Sequence, residues 1–233
     1  VGDRPSAGLD DAALAATAAL VLLSPYTPML FMGEEWGTRT PFQFFTDHEE
    51  EDLARSVSQG RAREFAGFGW NADEIPDPQD AATVETSRLD WSELEQTEHT
   101  RMLAWYRALT ALRRELAWSQ RTAWPQIDEA DDVVTVTYED IVVVTNLSGR
   151  PRPAPELSEV LLSWDPVDDA APSLSSGQTL IARPTLTSPT RRLPQPTRCR
   201  RTGSGRCTSV QKGRHLVDTM QPSQRRGFMC PLR

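Results

Sequence analysis

The residues best suited to chemistry are concentrated between positions 34 and 48. Two adjacent carboxylates, Glu34 and Glu35, follow an apolar segment that ends at Met32. A carboxyl group can transfer a proton, attack an electrophilic carbon or accept hydrogen bonds from hydroxyl groups. Aromatic rings nearby offer flat apolar faces, and Asp and His side chains add polar groups. The residues predicted to form one wall of a binding site are Glu34, Glu35, Trp36, Phe44, Phe45, Asp47 and His48.

The two adjacent acids are not expected to act as a catalytic pair. The apolar segment Met29–Met32 predicts a strand buried on both faces, as in a parallel sheet. Neighbouring side chains on a strand point to opposite faces, so Glu34 and Glu35 are not expected to share one substrate atom. At most one of them faces a site at the carboxyl end of the strand, where an α/β barrel builds its active site. The alternative is that one acid pairs with an arginine while the other is solvated or caps a helix.

The loop that follows also allows two interpretations. Phe44 and Phe45 either contact a ligand or form an aromatic plug that fixes the loop. His48 beside Asp47 is more typical of a hydrogen-bonded residue than of a proton shuttle. The sequence shows no nucleophilic triad, no glycine-rich phosphate loop and no paired cysteine spacing of a zinc site, so neither a cofactor nor a metal is expected.

Helical patterns lie on both sides of this segment. A short acidic side chain at position 10 or 11 predicts the start of a helix that runs to about Leu23, and Pro25 ends it. Residues 33–98 are a long polar stretch, within which Glu49–Asp52 predicts the start of a second helix ending near Phe65. Residues 98–116 give the clearest helix, because their apolar residues recur every three to four positions.

From Asp131 the apolar period changes to two, which predicts strands. The candidates are Val133–Tyr138, Ile141–Thr145, Val160–Trp164 and Thr179–Ala182. The fold class predicted for the chain is therefore α/β plus all-β: the C-terminal end of a (β/α)8 TIM barrel, then a small antiparallel β-sheet or sandwich domain. The predicted boundaries are 1–120 for the barrel portion and 126–183 for the β-domain.

Composition sets the remaining limits. The net charge of −8 hides an asymmetry, because residues 184–233 carry 11 of the 25 basic residues and all three cysteines but only one acid. This tail is interpreted as disordered or out-of-frame sequence rather than as a basic nucleic-acid-binding arm. No apolar run is long enough to span a bilayer, and the body contains no cysteine, which fits a reducing cytoplasmic location. Neither a membrane nor a nucleic-acid partner is expected.

Several segments together resemble one enzyme family. The sequence SPYTPMLFMGEEW occupies residues 24–36, TPFQFFTDH occupies residues 40–48, and RAREFAGFGWNADEIPDPQD occupies residues 61–80. With Gly2-Asp3-Arg4 before them and Trp105–Leu109 after them, these segments are similar to maltooligosyltrehalose trehalohydrolases of the α-amylase family. The segment FFTDH is the most specific of these matches, and the resemblance covers about residues 1–183.

The resemblance implies a retaining glycoside hydrolase that releases trehalose by cleaving the adjacent α-1,4 bond. Such chemistry uses a nucleophilic carboxylate and a protonated acid. The family places its catalytic carboxylates on earlier barrel strands, so none maps onto this chain and the chain alone is expected to be inactive. The substrate implied is maltooligosyltrehalose or a related α-glucan, and a homodimer of the parent enzyme is left open.

Two other interpretations remain at this point. One is a non-catalytic module that binds glucan or a partner through the β-region, where Tyr138 and Trp164 are the aromatic candidates. The other is a portion of a debranching or branching enzyme of the same family, which would require a different loop after the last barrel strand.

Overall fold

The helices of the chain come first and the strands follow. A computed structural model describes residues 2–71, 75–167 and 173–185. The helices are α1 (Asp11–Leu22), α2 (Glu51–Ala66), α3 (Ala81–Thr86) and α4 (Thr97–Glu115). The strands are β1 (Gln126–Ala130), β2 (Val133–Thr137), β3 (Val142–Asn146), β4 (Arg152–Pro153), β5 (Leu157–Ser163), β6 (Ser173–Leu174) and β7 (Thr179–Pro184). The tail predicted for residues 184–233 lies outside the described residues except for its first two positions.

Helix α1 begins and ends as its sequence predicts. A carboxylate oxygen of Asp10 accepts a hydrogen bond from the backbone N–H of Ala13, 2.8 Å away, and so satisfies one free donor of the first turn. At the other end, Arg113 of α4 donates to the carbonyls of Leu22, Ser24 and Tyr26. The carbonyl of Leu22 belongs to the last turn of α1, where carbonyls have no partner inside the helix, so α4 caps α1 and also holds the segment that follows it.

The strands form an antiparallel sheet in the order β1-β2-β3-β7-β5, and β4 pairs with β6 in a second, two-stranded sheet. The four predicted strands are confirmed with shifted ends, and the turn at Glu139-Asp140 joins β2 to β3 as a hairpin. Strand β1 was not predicted, because all five of its residues are exposed and it lacks an alternating apolar pattern.

One hydrophobic core unites α1, α4 and the larger sheet. It contains Ala15 and Ala19 of α1, Trp105 and Leu109 of α4, and Ile181 of β7. The indole Nε1 of Trp105 donates to the carbonyl of Ala15 at 3.0 Å, and the hydroxyl of Tyr138 donates to the carbonyl of Leu23 at 2.6 Å. Alanines on α1 let α4 and the sheet approach closely, and these two hydrogen bonds satisfy the polar atoms of Trp105 and Tyr138 at this contact.

The predicted strand Met29–Met32 is wrong as a regular element. These residues belong to no helix or strand and pair with no strand in the described part of the chain, and Met29 is 89% exposed. A strand requires a hydrogen-bonding neighbour, and the larger sheet lies elsewhere in the fold.

Of the described helices, none is both long and apolar enough to cross a membrane.

Candidate functional site

A tight turn carries the predicted carboxylates. Gly33 and Gly37 both have positive φ angles, of 86° and 66°, and flank a single 3₁₀ turn at Glu34–Trp36. A Cβ atom on Gly33 would lie only 2.5 Å from Cγ2 of Thr38, so the turn requires glycine there. The prediction that Glu34 and Glu35 alternate as on a strand is therefore wrong, because successive side chains on a 3₁₀ turn are about 120° apart.

Glu34 is held by two hydrogen bonds. Its Oε1 accepts from the hydroxyl of Tyr106, 3.1 Å away, and its Oε2 accepts from the backbone N–H of Phe31 at 3.0 Å. Burial raises the pKa of Tyr106, and the charge of Glu34 raises it further, so the phenol keeps its proton. Glu34 is thus a fixed acceptor whose remaining lone pairs can receive ligand hydroxyl groups. Glu35 is half-buried on the same turn.

Arg4, which belongs to the Gly2-Asp3-Arg4 segment, holds the turn at residues 33–37 in place. It is buried, donates through Nη1 to the carbonyl of Met32 at 2.8 Å and through Nε to the carbonyl of Thr40. Burial lowers the pKa of Arg4, while the negative charges of Glu93, Glu35 and Glu34 oppose that shift. Its Nη2 is buried with no hydrogen-bond partner among the described residues. Arg4 therefore ties the two ends of the turn together.

A cavity of about 280 Å³ lies between this turn, α1 and α4. Its polar lining includes Arg4, Glu34 and Tyr106, and its apolar lining includes Phe31 and Phe42. The guanidinium carbon of Arg4 is 5.3 Å from the centre of the Phe31 ring, and that ring contacts Phe42 edge-on at 4.9 Å. A cavity with aromatic walls and a few fixed polar groups can bind a polar ligand that also has apolar faces.

Trp36, in contrast, belongs to the protein interior. It is only 2% exposed, its Nε1 donates to Oε2 of Glu93 at 3.1 Å, and its carbonyl lies 2.7 Å from Nδ1 of His99. Burial alone would raise the pKa of Glu93, but hydrogen bonds from Thr38, Arg39 and Trp36 lower it below its ordinary value. Trp36 thus presents almost no surface to a ligand, and its predicted ligand contact remains a prediction.

The two phenylalanines of the loop at residues 44–48 contact different neighbours. Phe45 contacts Phe42 edge-on at 5.8 Å, which links it to the aromatic lining of the cavity. Phe44 instead lies 4.7 Å from the guanidinium carbon of Arg61 on α2. The backbone N–H and carbonyl of His48 both bond to the side chain of Gln79, and Asp47 is exposed.

The predicted site residues therefore form three groups. Glu34 lines the cavity, Glu35 lies half-buried on the same turn, and Phe45 contacts the lining residue Phe42. Phe44, Asp47 and His48 lie along the loop towards α2, and Trp36 lies in the interior. The sequence did not predict that Arg4, Tyr106 and Glu93 contribute to this region, since isolated residues far apart in sequence give no local pattern. The described residues contain no cluster of three or more His, Cys, Asp or Glu side chains that could hold a metal ion.

Comparison with solved structures defines the class of protein. A crystal structure of a Salmonella typhimurium protein assigned to the alpha amylases superposes with a TM-score of 0.66 and 31% identity. The superposition covers 78% of this chain and 32% of that protein. The chain thus has the fold of part of an α-amylase-type enzyme. No family model matches it.

Sequence comparison with curated proteins identifies relatives of one kind within this class. A malto-oligosyltrehalose trehalohydrolase of Arthrobacter ramosus is 47% identical over 174 residues, which is 75% of this chain and 30% of the relative. The Mycobacterium tuberculosis enzyme of the same name is 44% identical over 170 residues, and that of Brevibacterium helvolum is 53% identical over 114 residues. The chain is therefore related to the C-terminal portion of malto-oligosyltrehalose trehalohydrolases, and it spans about 30% of the length of the first of these relatives.

Proposed function

We propose that this chain supplies the C-terminal portion of a glycoside hydrolase that releases trehalose from maltooligosyltrehalose by hydrolysing the adjacent α-1,4 bond. The observation that carries the proposal is the 47% identity to the Arthrobacter ramosus enzyme across three quarters of the chain. In this proposal residues 1–120 complete a catalytic barrel and residues 126–183 form the β-domain that follows it.

The geometry supports a substrate-binding wall rather than a catalytic centre. Retaining glycosidases place a nucleophile and an acid about 5 Å apart across the scissile bond. Glu34 is engaged by Tyr106 and the Phe31 N–H, and Glu93 is engaged by Trp36 and Arg39. Both carboxylates thus hold neighbouring protein groups in place, and Glu34, which lines the cavity, can also accept hydrogen bonds from sugar hydroxyls.

The chain alone is proposed to be inactive because residues 29–32, its predicted barrel strand, pair with no other strand in the part of the chain that the structure describes. Apolar side chains at Met29, Leu30, Phe31 and Met32 are exposed, which is costly unless another part of an enzyme covers them. In the proposed whole enzyme, neighbouring strands cover this segment and supply the catalytic carboxylates.

A complementation assay tests the proposal. The chain is mixed with the part of the Arthrobacter ramosus enzyme that it does not match, and trehalose released from maltotriosyltrehalose is measured. We expect no trehalose from either part alone and measurable release from the mixture, with the intact Arthrobacter enzyme as the positive control. Trehalose release by this chain alone would disprove the proposed inactivity, and no release from the mixture would count against the proposed role.

The alternative of a glucan-binding β-domain has little structural support. Its two aromatic candidates, Tyr138 and Trp164, are both buried. Tyr138 packs edge-on against Trp118, and Trp164 against Trp105. These rings stabilise the core and offer no platform for a sugar.

A further inference from the structure

The C-terminal end of α2 carries an aromatic cluster that the proposed function does not yet use. From the sequence, Phe65, Phe68 and Trp70 are expected to pack residues 33–98 onto the body of the protein. They instead pack on one another: Phe68 is 74% exposed and Trp70 is 40% exposed. None of the residues of α2 is buried.

Local backbone geometry creates this cluster. The helix ends in a turn in which Gly69 has a φ of 86° and the N–H of Trp70 donates to the carbonyl of Phe65 at 3.3 Å. This turn folds Trp70 back over the helix end, as in a Schellman cap. The rings of Trp70 and Phe68 then meet Phe65 edge-on, at centroid distances of 5.8 and 6.3 Å. Edge-on contacts leave ring faces open to solvent.

Arg61 connects the cluster to the predicted binding loop. Its guanidinium carbon lies 4.6 Å from the centre of the Phe65 ring and 4.7 Å from that of Phe44. A guanidinium held against aromatic faces keeps its N–H donors in its own plane, where they can reach hydrogen-bond acceptors. Phe44, Arg61, Phe65, Phe68 and Trp70 thus form one continuous surface, here named the insert platform.

We propose that the insert platform binds a linear α-1,4-glucan, at glucose units beyond those next to the cleaved bond. Glucose rings have apolar C–H faces that stack on aromatic rings, and their hydroxyl oxygens accept hydrogen bonds from a guanidinium. The ligand is neutral, so it requires no charged partner on the platform. This inference rests on the proposed function for its ligand, and it adds a recognition site some distance along the chain from Glu34.

A protein occupant fits the platform less well than a sugar. An arginine enclosed by another protein segment would need a carboxylate partner to offset its desolvation. Arg61 is instead flanked by two aromatic rings, which suits a ligand that offers many weak acceptors and apolar faces together. The platform also continues directly from Phe44, one of the residues already predicted to contact substrate.

A binding titration of the whole chain tests the inference. Maltohexaose is added while amide chemical shifts or heat are recorded, first for the unchanged chain and then for Phe68→Ala and Trp70→Ala. We expect each substitution to weaken binding about tenfold, since one aromatic contact contributes on the order of 1.4 kcal/mol. Circular dichroism confirms that the variants keep their fold, which is expected because neither ring is buried.

The matched control is Trp124→Ala. Trp124 is 72% exposed and contacts Tyr26 edge-on at 5.8 Å, and it is not part of the platform. This substitution should leave maltohexaose affinity unchanged. Equal losses from Trp124→Ala and Trp70→Ala, no loss from the platform variants, or no binding by the unchanged chain would each overturn the inference.

A second readout separates this inference from the proposed function. In the complemented enzyme, Trp70→Ala should slow trehalose release from long substrates about tenfold and leave release from the short maltosyltrehalose unchanged. Equal slowing on both substrates would overturn the platform as a distal site. If the unchanged mixture releases no trehalose, the proposed function fails, and the maltohexaose titration still decides whether the platform binds glucan.

Discussion

Two regions of the molecule are held together by different forces. The core of α1, α4 and the larger sheet is packed from apolar side chains such as Leu109 and Ile181, both fully buried. The excursion, residues 38–95, relies on polar contacts: Ser58 donates to a carboxylate oxygen of Asp77 at 2.6 Å, and Gln79 bonds to His48. Apolar burial fixes the first region, and hydrogen bonds with local turns fix the second. Most of the residues proposed to contact a ligand lie in the second region, as is usual for loops carried by a rigid scaffold.

The largest effect is expected from a cavity in the core. Leu109→Ala removes a fully buried side chain and should lower the free energy of unfolding by about 3 kcal/mol. Urea unfolding followed by circular dichroism measures the change. The matched control in the excursion is Leu53→Ala on α2, where the side chain is exposed and the loss should stay within about 0.5 kcal/mol. Similar losses in both variants would show that the two regions are not held differently.

A smaller but still substantial effect is expected at Glu93, which joins the two regions. Glu93→Ala leaves the buried Nε1 of Trp36 and the N–H of Arg39 without an acceptor, and should cost about 2 kcal/mol. Glu93→Gln keeps one acceptor oxygen and should cost less. Thermal unfolding near neutral pH gives the melting temperatures of the unchanged protein and the two variants. An unchanged melting temperature for Glu93→Ala would contradict the structural role of Glu93.

The lowered pKa of Glu93 predicts that the stability of the protein depends on pH. The folded pKa of Glu93 lies below its ordinary value of 4.5, because hydrogen bonds to the charged carboxylate outweigh the effect of burial. The stability that this shift provides is fully present above pH 4.5 and is lost as the pH falls through the lowered folded pKa. The difference in melting temperature between the unchanged protein and Glu93→Gln should therefore shrink on acidification. A constant difference would contradict this linkage.

The smallest effect is expected from an ion pair at the margin of the sheet. Arg121 donates hydrogen bonds to Asp140, and these lower the pKa of Asp140. The Asp140 side chain is 47% exposed, so solvent screens the pair. Asp140→Asn should cost only about 0.5 kcal/mol, and the cost should vanish in about 1 M salt. A loss as large as that of Glu93→Ala would show that exposure does not separate strong polar contacts from weak ones here.

The contrast between regions also explains what the sequence could predict. Helix α4 was predicted almost to the residue, because Met102, Trp105 and Leu109 mark one face at helical spacing. Strands β2 and β3 followed from their β-branched runs. Each of these elements buries its own apolar face, so local pattern and final structure agree.

Prediction failed where structure depends on distant partners. Met29–Met32 has the composition of a buried strand, but strand formation requires a neighbour that the described residues do not provide. Arg4 and Glu93 contact residues 28 to 57 positions away, and a single charged residue carries no periodic signal. The aromatic side chains of 65–70 were predicted to pack inwards on hydrophobicity alone, whereas the positive φ of Gly69 turns Trp70 back onto its own helix.

The contacts that close the excursion have a consequence for how such a protein can change. The backbone N–H of Gln43 bonds to the hydroxyl oxygen of Ser87 at 3.0 Å, and that of Arg39 bonds to Glu93 at 3.0 Å. Both ends of the excursion are thus fastened to each other independently of what lies between them. Lengthening a loop whose ends are already fixed costs little, because closure entropy grows only with the logarithm of its length. Insertions or replacements between residues 44 and 86 should therefore leave the packing of α1, α4 and the sheet unchanged.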